Sequence, residues 1–125
     1  MNEKIRIAII YGSAREERFC DTVANWLLSE LEGLSGFDVA IIDPARLTFT
    51  ASGPDARSAA EIETQLARAD AFIIVVPEYN HGYPAVLKNA MDWTFPEWNR
   101  KPISFVGWGN VGGARAVEQL SLIHI

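Results

Sequence analysis

Three short segments of this chain combine glycine with groups that donate hydrogen bonds or stack, and each follows an apolar run. The first reads Gly12-Ser13-Ala14-Arg15-Glu16-Glu17-Arg18-Phe19. Gly12 permits a sharp turn, Ser13 brings a hydroxyl, and Arg15 and Arg18 bring charge-assisted donors suited to phosphate oxygens. A helix starting here would add N-terminal N–H groups, which favour an anion. The spacing is not the Gly-x-x-x-x-Gly-Lys of a nucleotide-hydrolysing loop, which argues against triphosphate chemistry. A plain turn with solvated arginines answering Glu16 and Glu17 explains the same residues.

The second segment, Pro77-Glu78-Tyr79-Asn80-His81-Gly82-Tyr83-Pro84, crowds polar and aromatic groups where a turn alone needs only Gly, Pro or Asn. Tyr79 and Tyr83 are placed to flank a flat ring, with Asn80 and backbone amides at its polar edge. The alternative is a surface turn that caps the next helix, with Tyr79 packed on its neighbours. The third segment, Gly107-Trp108-Gly109-Asn110-Val111-Gly112, has the Gly-x-Gly-x-x-Gly spacing. A dinucleotide fingerprint opens the first βαβ unit and has an acidic residue about twenty positions later. Here the motif follows a fourth strand, and that later position lies past residue 125. Trp108 is either a lid over a ring or a core or interface tryptophan. Cys20, His81 and His124 make a poor ligand set, so no metal site is expected. His81 reads as a solvated loop side chain.

The elements that would position these segments alternate. Residues 5–11 form a short apolar run rich in β-branched side chains, as a strand buried on both faces requires. Helical spacing follows over about 18–32, through Phe19, Val23, Trp26, Leu27 and Leu31, until Gly33 and Gly36. A second strand at 37–42 stops at Asp43-Pro44, and 45–55 reads as a loop. A helix from about Ala56 carries Ile62, Leu66 and Ala69 on one face. The run 71–76 is the clearest strand. Pro84 stands where a first helical turn tolerates it, before Leu87, Ala90 and Met91. A fourth strand spans 103–106, and Gly112-Gly113 leads into a helix with Val117 and Leu120. Such βαβαβαβα alternation predicts one α/β domain over 1–125, a three-layer αβα sandwich around a parallel sheet. Ligands of such sheets bind outside the C-terminal strand ends, where the three segments fall. Met91 reads as core filler, and Trp26, Trp93, Phe95 and Trp98 as packing or subunit-contact residues.

A chain of 125 residues with 11 Lys and Arg against 16 Asp and Glu lacks the basic surplus of a broad nucleic-acid footprint. The lone Cys20 forms no internal disulfide, which suits a reducing compartment. No apolar run reaches membrane-spanning length, and the N-terminus lacks the features of a signal peptide. A cytoplasmic protein is expected, with no membrane partner.

Gly-Ser-x-Arg at 12–15, Pro-Glu-Tyr-Asn at 77–80 and Leu-Lys-Asn-Ala-Met-Asp-Trp at 87–93 together resemble the NADPH-dependent FMN reductase family, a group of flavin, quinone and azo-dye reductases. The resemblance runs from the first strand through Leu120. It implies a flavodoxin-like sheet of order 2-1-3-4-5 and, as cofactors, FMN with NADPH or NADH. It further implies that Ser13, Arg15, Arg18 and the amides of Phe19 and Cys20 hold the FMN phosphate. Pro77, Glu78, Tyr79 and Asn80 would border the ribityl chain and the ring, and the glycine loop at Gly109 would bring N–H groups to the pyrimidine end. Hydride would pass from nicotinamide to a flavin, quinone or azo acceptor by a ping-pong scheme that needs no catalytic side chain. A homodimer or homotetramer is implied for the full-length form.

The family's fold continues with a fifth strand and a last helix, whereas this sequence stops inside the predicted fourth helix. A truncated or incompletely sequenced gene, with the fourth strand left as an edge, is the expectation. Three rivals share the fold. A flavodoxin-type electron carrier, which would bind FMN without nicotinamide, has a phosphate loop rich in Ser and Thr, not Arg. A phospho-receiver domain needs acidic clusters that 10–11 and 76–78 do not provide. A nucleotide-binding module using the glycine loop would carry no flavin.

Overall fold

Strand β1 (Ile5–Tyr11) lies inside the sheet because nearly every side chain it carries is apolar, so both its faces can be covered. In the computed structural model, which describes residues 3–124 apart from the side chains of 122–124, β1 pairs in parallel with two neighbours. One is β2 (Phe37–Ile42), with Ile9 opposite Ile41. The other is the strand of 71–77, with Ile10 opposite Ile74.

A two-stranded hairpin intervenes in sequence, β3 (Phe49–Thr50) and β4 (Gly53–Pro54). The 71–77 strand is therefore β5 (Ala71–Pro77), and β6 (Ile103–Trp108) completes a four-stranded sheet of order β2-β1-β5-β6. This is the expected order 2-1-3-4 with the hairpin set apart. The hairpin lies within the stretch expected to be loop, and Asn89 fastens it by donating to the Thr50 carbonyl (2.9 Å).

Period-two alternation divides the sheet between two cores. Ile7, Ile9, Tyr11 and Val75 meet Cys20, Ala24 and Leu27 of α1 (Cys20–Glu32) on one face. On the other, Ala8, Ile10, Phe72, Ile74 and Val76 meet three helices. These are α2 (Ala56–Arg68), α3 (Ala85–Asp92) and α4 (Ala114–His124), which contribute Ile62, Leu66, Leu87, Met91, Ala116 and Leu120. Met91 is buried core, as its helical spacing predicts. Trp98 packs on Phe72 at 4.7 Å between ring centroids and donates its indole N–H to Thr94 Oγ1 (2.7 Å).

The helix starts differ in how their free N–H groups are met. Asp55 caps α2 by accepting from the Ser58 N–H (2.8 Å). α1 begins two residues later than its spacing predicts and has no side-chain cap. Pro84, expected in the first turn of α3, stands just before it as the N-cap. No helix among the described residues is long and apolar enough to cross a membrane.

Candidate cofactor site at the C-terminal strand ends

Parallel pairing carries the three glycine-bearing segments to one end of the sheet. Tyr11 lies opposite Val75, and Pro77 opposite Trp108, so loops 12–19, 78–84 and 109–113 leave the strands side by side. Gly12 makes the first junction close. Its N–H donates to the Val75 carbonyl (2.8 Å), and a Cβ there would stand 2.7 Å from that oxygen.

Side chains then stitch the loops together. The Ser13 hydroxyl is buried at 1 % exposure and shares a 2.8 Å hydrogen bond with the Tyr79 hydroxyl. Over the same tyrosine ring lies the Arg15 guanidinium, 3.8 Å from the centroid, within cation–π range. Arg15 is exposed and pairs with no carboxylate among the described residues. The alternative in which both arginines answer Glu16 and Glu17 therefore does not describe the fold.

Arg18 is corrected. Its guanidinium has five N–H donors, and all of them are engaged. Nε and Nη2 donate to Asp21, Nη1 and Nη2 form a fork onto Asp43 (2.7 Å each), and Nη1 also reaches the Ser13 carbonyl. The Arg18 and Asp43 side chains are each only 7 % exposed. No N–H is left over for a phosphate. The Asp43 hydrogen bond and the surrounding carboxylates hold the Arg18 guanidinium more firmly protonated, against the opposing effect of burial. Burial alone would raise the Asp43 carboxyl, but hydrogen bonds from Arg18 and the Ala45 N–H hold it below its ordinary range. Asp43 was not among the expected site residues because attention falls on the first, third and fourth strand ends. The available signal was an acid closing the second strand, next to β1 in the sheet.

At the start of α1 the uncapped first turn offers its N–H groups, those of Phe19 and Cys20 beside it. The Cys20 thiol points the other way, into the α1 core 3.9 Å from the Val75 carbonyl, and burial raises its pKa. The Phe19 ring is exposed and meets Trp108 edge to face, 6.2 Å between centroids. Trp108 thus rests against the α1 side of the sheet.

In the second loop, Asn80 (φ 49°) and His81 (φ 69°) occupy the left-handed region at the tip of a tight hairpin. Tyr79 N–H donates to the Gly82 carbonyl (2.9 Å) and Gly82 N–H to the Tyr79 carbonyl (3.1 Å). Asparagine tolerates that conformation better than most residues, and Gln119 ties the tip by donating to the His81 carbonyl. Glu78 turns its carboxylate, 6 % exposed, onto the α4 N-terminus. There it accepts from the Arg115 N–H (3.2 Å) and from its Nη1 (2.5 Å). The Glu78 N–H donates to the Trp108 carbonyl (3.0 Å), so what Glu78 leaves for a ligand is its backbone carbonyl. Tyr83 is partly buried and packs on the core that α2, α3 and α4 share with the sheet.

The third loop approaches the second through Gly109, at φ +153°, where a Cβ would lie 3.1 Å from Glu78 Cβ. A groove of about 460 Å³ lined by Arg6, Asp38, Gln65 and Arg68 shares no residue with these loops. Among the described residues no three His, Cys, Asp or Glu side chains converge as metal ligands.

The two carboxylates buried at this end among the described residues, Asp43 and Glu78, are each paired with an arginine. Beside them stand donors: Arg15, the Ser13 hydroxyl and the amides at the uncapped start of α1. With the Tyr79 ring beside them, this donor set fits a phosphorylated ligand with a flat polar ring, and FMN is such a molecule. Sheet order and site together define a flavodoxin-like α/β protein with an anion-ready strand-end site.

Residues 5–124 match the sequence profile of the NADPH-dependent FMN reductases, and the chain belongs to that family. It is 34% identical over 126 residues to an NAD(P)H-dependent FMN reductase of Schizosaccharomyces pombe, matching 92% of this chain and 63% of that protein. It is also 34% identical over 126 residues to a 2-hydroxy-1,4-benzoquinone reductase of a Burkholderia species, matching 93% of this chain and 68% of the relative. Among solved structures, FerB, a flavoenzyme NAD(P)H:(acceptor) oxidoreductase from Paracoccus denitrificans, superposes with a TM-score of 0.80 at 27% identity, covering 96% of this chain and 70% of FerB. An azoreductase from Bacillus anthracis shares the fold, with a TM-score of 0.70 at 15% identity over 96% of this chain and 80% of its own. The chain thus spans about two thirds of the length of the curated relatives named here.

Proposed function

We propose that this chain is the FMN-binding part of an NAD(P)H-dependent reductase whose acceptors are small molecules of the quinone, flavin or azo class. The observation that carries the reading is the juxtaposition of Ser13, Arg15 and the uncapped start of α1 with the Tyr79 ring, in a chain that matches the FMN reductase profile. The quinone acceptor is supported by the name of the Burkholderia relative, and the nicotinamide donor by the names of the Schizosaccharomyces pombe relative and of FerB.

In this reading Ser13, Arg15 and the amides of Phe19 and Cys20 receive the phosphate. The backbone of Pro77, Glu78, Tyr79 and Asn80 borders the ribityl chain and the ring, and the loop at Gly109 closes on the ring's polar edge. FMN, when bound, supplies the hydride-transfer chemistry. The protein's part is to bind, orient and stabilise negative charge with fixed backbone donors. No side chain is assigned as acid or base.

A homodimer or homotetramer belongs to the same proposal, supported by exposed Trp93 and Phe95, which are 48 % and 73 % accessible. A cytoplasmic setting is supported by the free, buried Cys20. The test is the visible spectrum of the purified protein with FMN, before and after NADPH, followed by NADPH oxidation with a quinone. Bound flavin that bleaches with NADPH and turns over with quinone is the expected result. Bound flavin that NADPH leaves yellow would indicate an electron carrier instead. Folded protein that takes up no FMN would overturn the reading.

A further inference from the structure

Arg18 looks like a phosphate ligand by residue type and position, yet its donors are all directed into the protein. The pair it forms with Asp43 spans three pieces of chain. Asp43 closes β2 and also holds the following turn by accepting from the Ala45 N–H (3.0 Å). Arg18 stands at the end of the first loop, and its Nη1 reaches back to the carbonyl of Ser13, whose hydroxyl meets Tyr79.

We propose that Asp43 is a positioning residue for the phosphate end of the cofactor site, acting through Arg18 to hold loop 12–18 in its anion-receiving shape. This rests on the FMN-binding reading above and deepens it. Three features support it. A two-point fork fixes the plane of the guanidinium, which a single contact would not. The Ser13 carbonyl takes a charged donor and is thereby drawn inward, leaving the loop's N–H groups and Arg15 for the ligand. Asp43 and Asp21 would otherwise set uncompensated negative charge beside an anion site, and Arg18 answers both.

A direct-ligand role for Arg18 makes the opposite forecast, since releasing Arg18 from Asp43 would then free donors for the phosphate. The two are separated by titrating FMN and riboflavin, which lacks the phosphate, into wild-type protein and the Asp43→Asn and Arg18→Lys variants, following flavin fluorescence. Asparagine keeps the shape of aspartate and loses the charge; lysine keeps the charge and loses the fork.

The expected result is that each variant binds FMN about tenfold more weakly, the scale of one charge-assisted contact, while riboflavin affinity stays near wild type. The ratio of the two affinities therefore collapses toward one. Unchanged or tighter FMN binding by Asp43→Asn would overturn the proposal in favour of direct contact. Equal losses for both flavins, or failure of both variants to fold, would overturn it in favour of a purely structural pair. Wild-type protein that binds neither flavin removes the FMN reading itself, and that outcome is visible before any variant is made.

Discussion

Arg15 and Arg18 lie three residues apart with the same chemistry, and the fold gives them different work. Arg15 is exposed, unpaired among the described residues and stacked on Tyr79. Its replacement by alanine removes a donor without opening the core. Stability should change by less than about 0.5 kcal/mol, as for most surface positions. FMN affinity should fall about tenfold, in line with a lost charge-assisted hydrogen bond, and more at low salt than at high. Thermal melts beside FMN titrations at two salt concentrations check both halves. The Asp43 partner of Arg18 gives a pH prediction. Its folded-state pKa lies below the ordinary value, so its contribution to stability is present above the unfolded value, near 3.9. That contribution is lost as pH falls through the folded value. Urea midpoints measured between neutral pH and pH 3 should therefore drop more for wild type than for Asp43→Asn. Parallel curves would assign the acid loss to other carboxylates.

At the level of elements, the four sheet strands are legible because runs such as 71–77, and 7–11 after Arg6, are apolar without interruption, as buried parallel strands require. The hairpin of β3 and β4 is not legible. Two residues per strand leave no periodicity, and its anchorage comes from Asn89, 39 positions away. The orientation of Glu78 is hidden for the same reason: the partner Arg115 lies 37 residues on, beyond any local pattern. Loop chemistry is therefore readable as residue type, while the choice between facing a ligand and bracing a neighbour is made by tertiary contacts. Gly109 is the element-scale test of how the second and third loops meet. Alanine there faces a positive φ of 153° and a Cβ contact of 3.1 Å with Glu78. A residue forced into so sparse a backbone region costs on the order of 1–3 kcal/mol. Gly109→Ala should lower the melting temperature and weaken FMN binding together. A melt like wild type's with normal FMN affinity would show that the loop shifts without consequence.

Across the whole molecule, apolar surface is distributed unevenly. Parallel register sets Ile7 opposite Val39 and Ile9 opposite Ile41, so Val39 and Ile41 point to the α1 side of the sheet, as Ile5 does. There α1 covers Ile7 and Ile9 but leaves Ile5, Val39 and Ile41 exposed at 49 %, 39 % and 40 %. β2 is also an edge of the sheet, with backbone N–H and carbonyl groups turned outward. An edge strand flanked by exposed β-branched side chains is a template for pairing with another copy. This chain as given is therefore expected to self-associate with rising concentration. Replacing both Val39 and Ile41 with threonine keeps β-branched shape and strand propensity while removing apolar surface. Because both side chains are already partly in water, the double variant should melt close to wild type. Light scattering over a concentration series should nonetheless show it remaining smaller. If the variant associates as strongly as wild type, the contact lies elsewhere, and exposed Trp93 and Phe95 are the next surface to alter. If it melts far below wild type, the two side chains carry more of the α1 core than their exposure indicates.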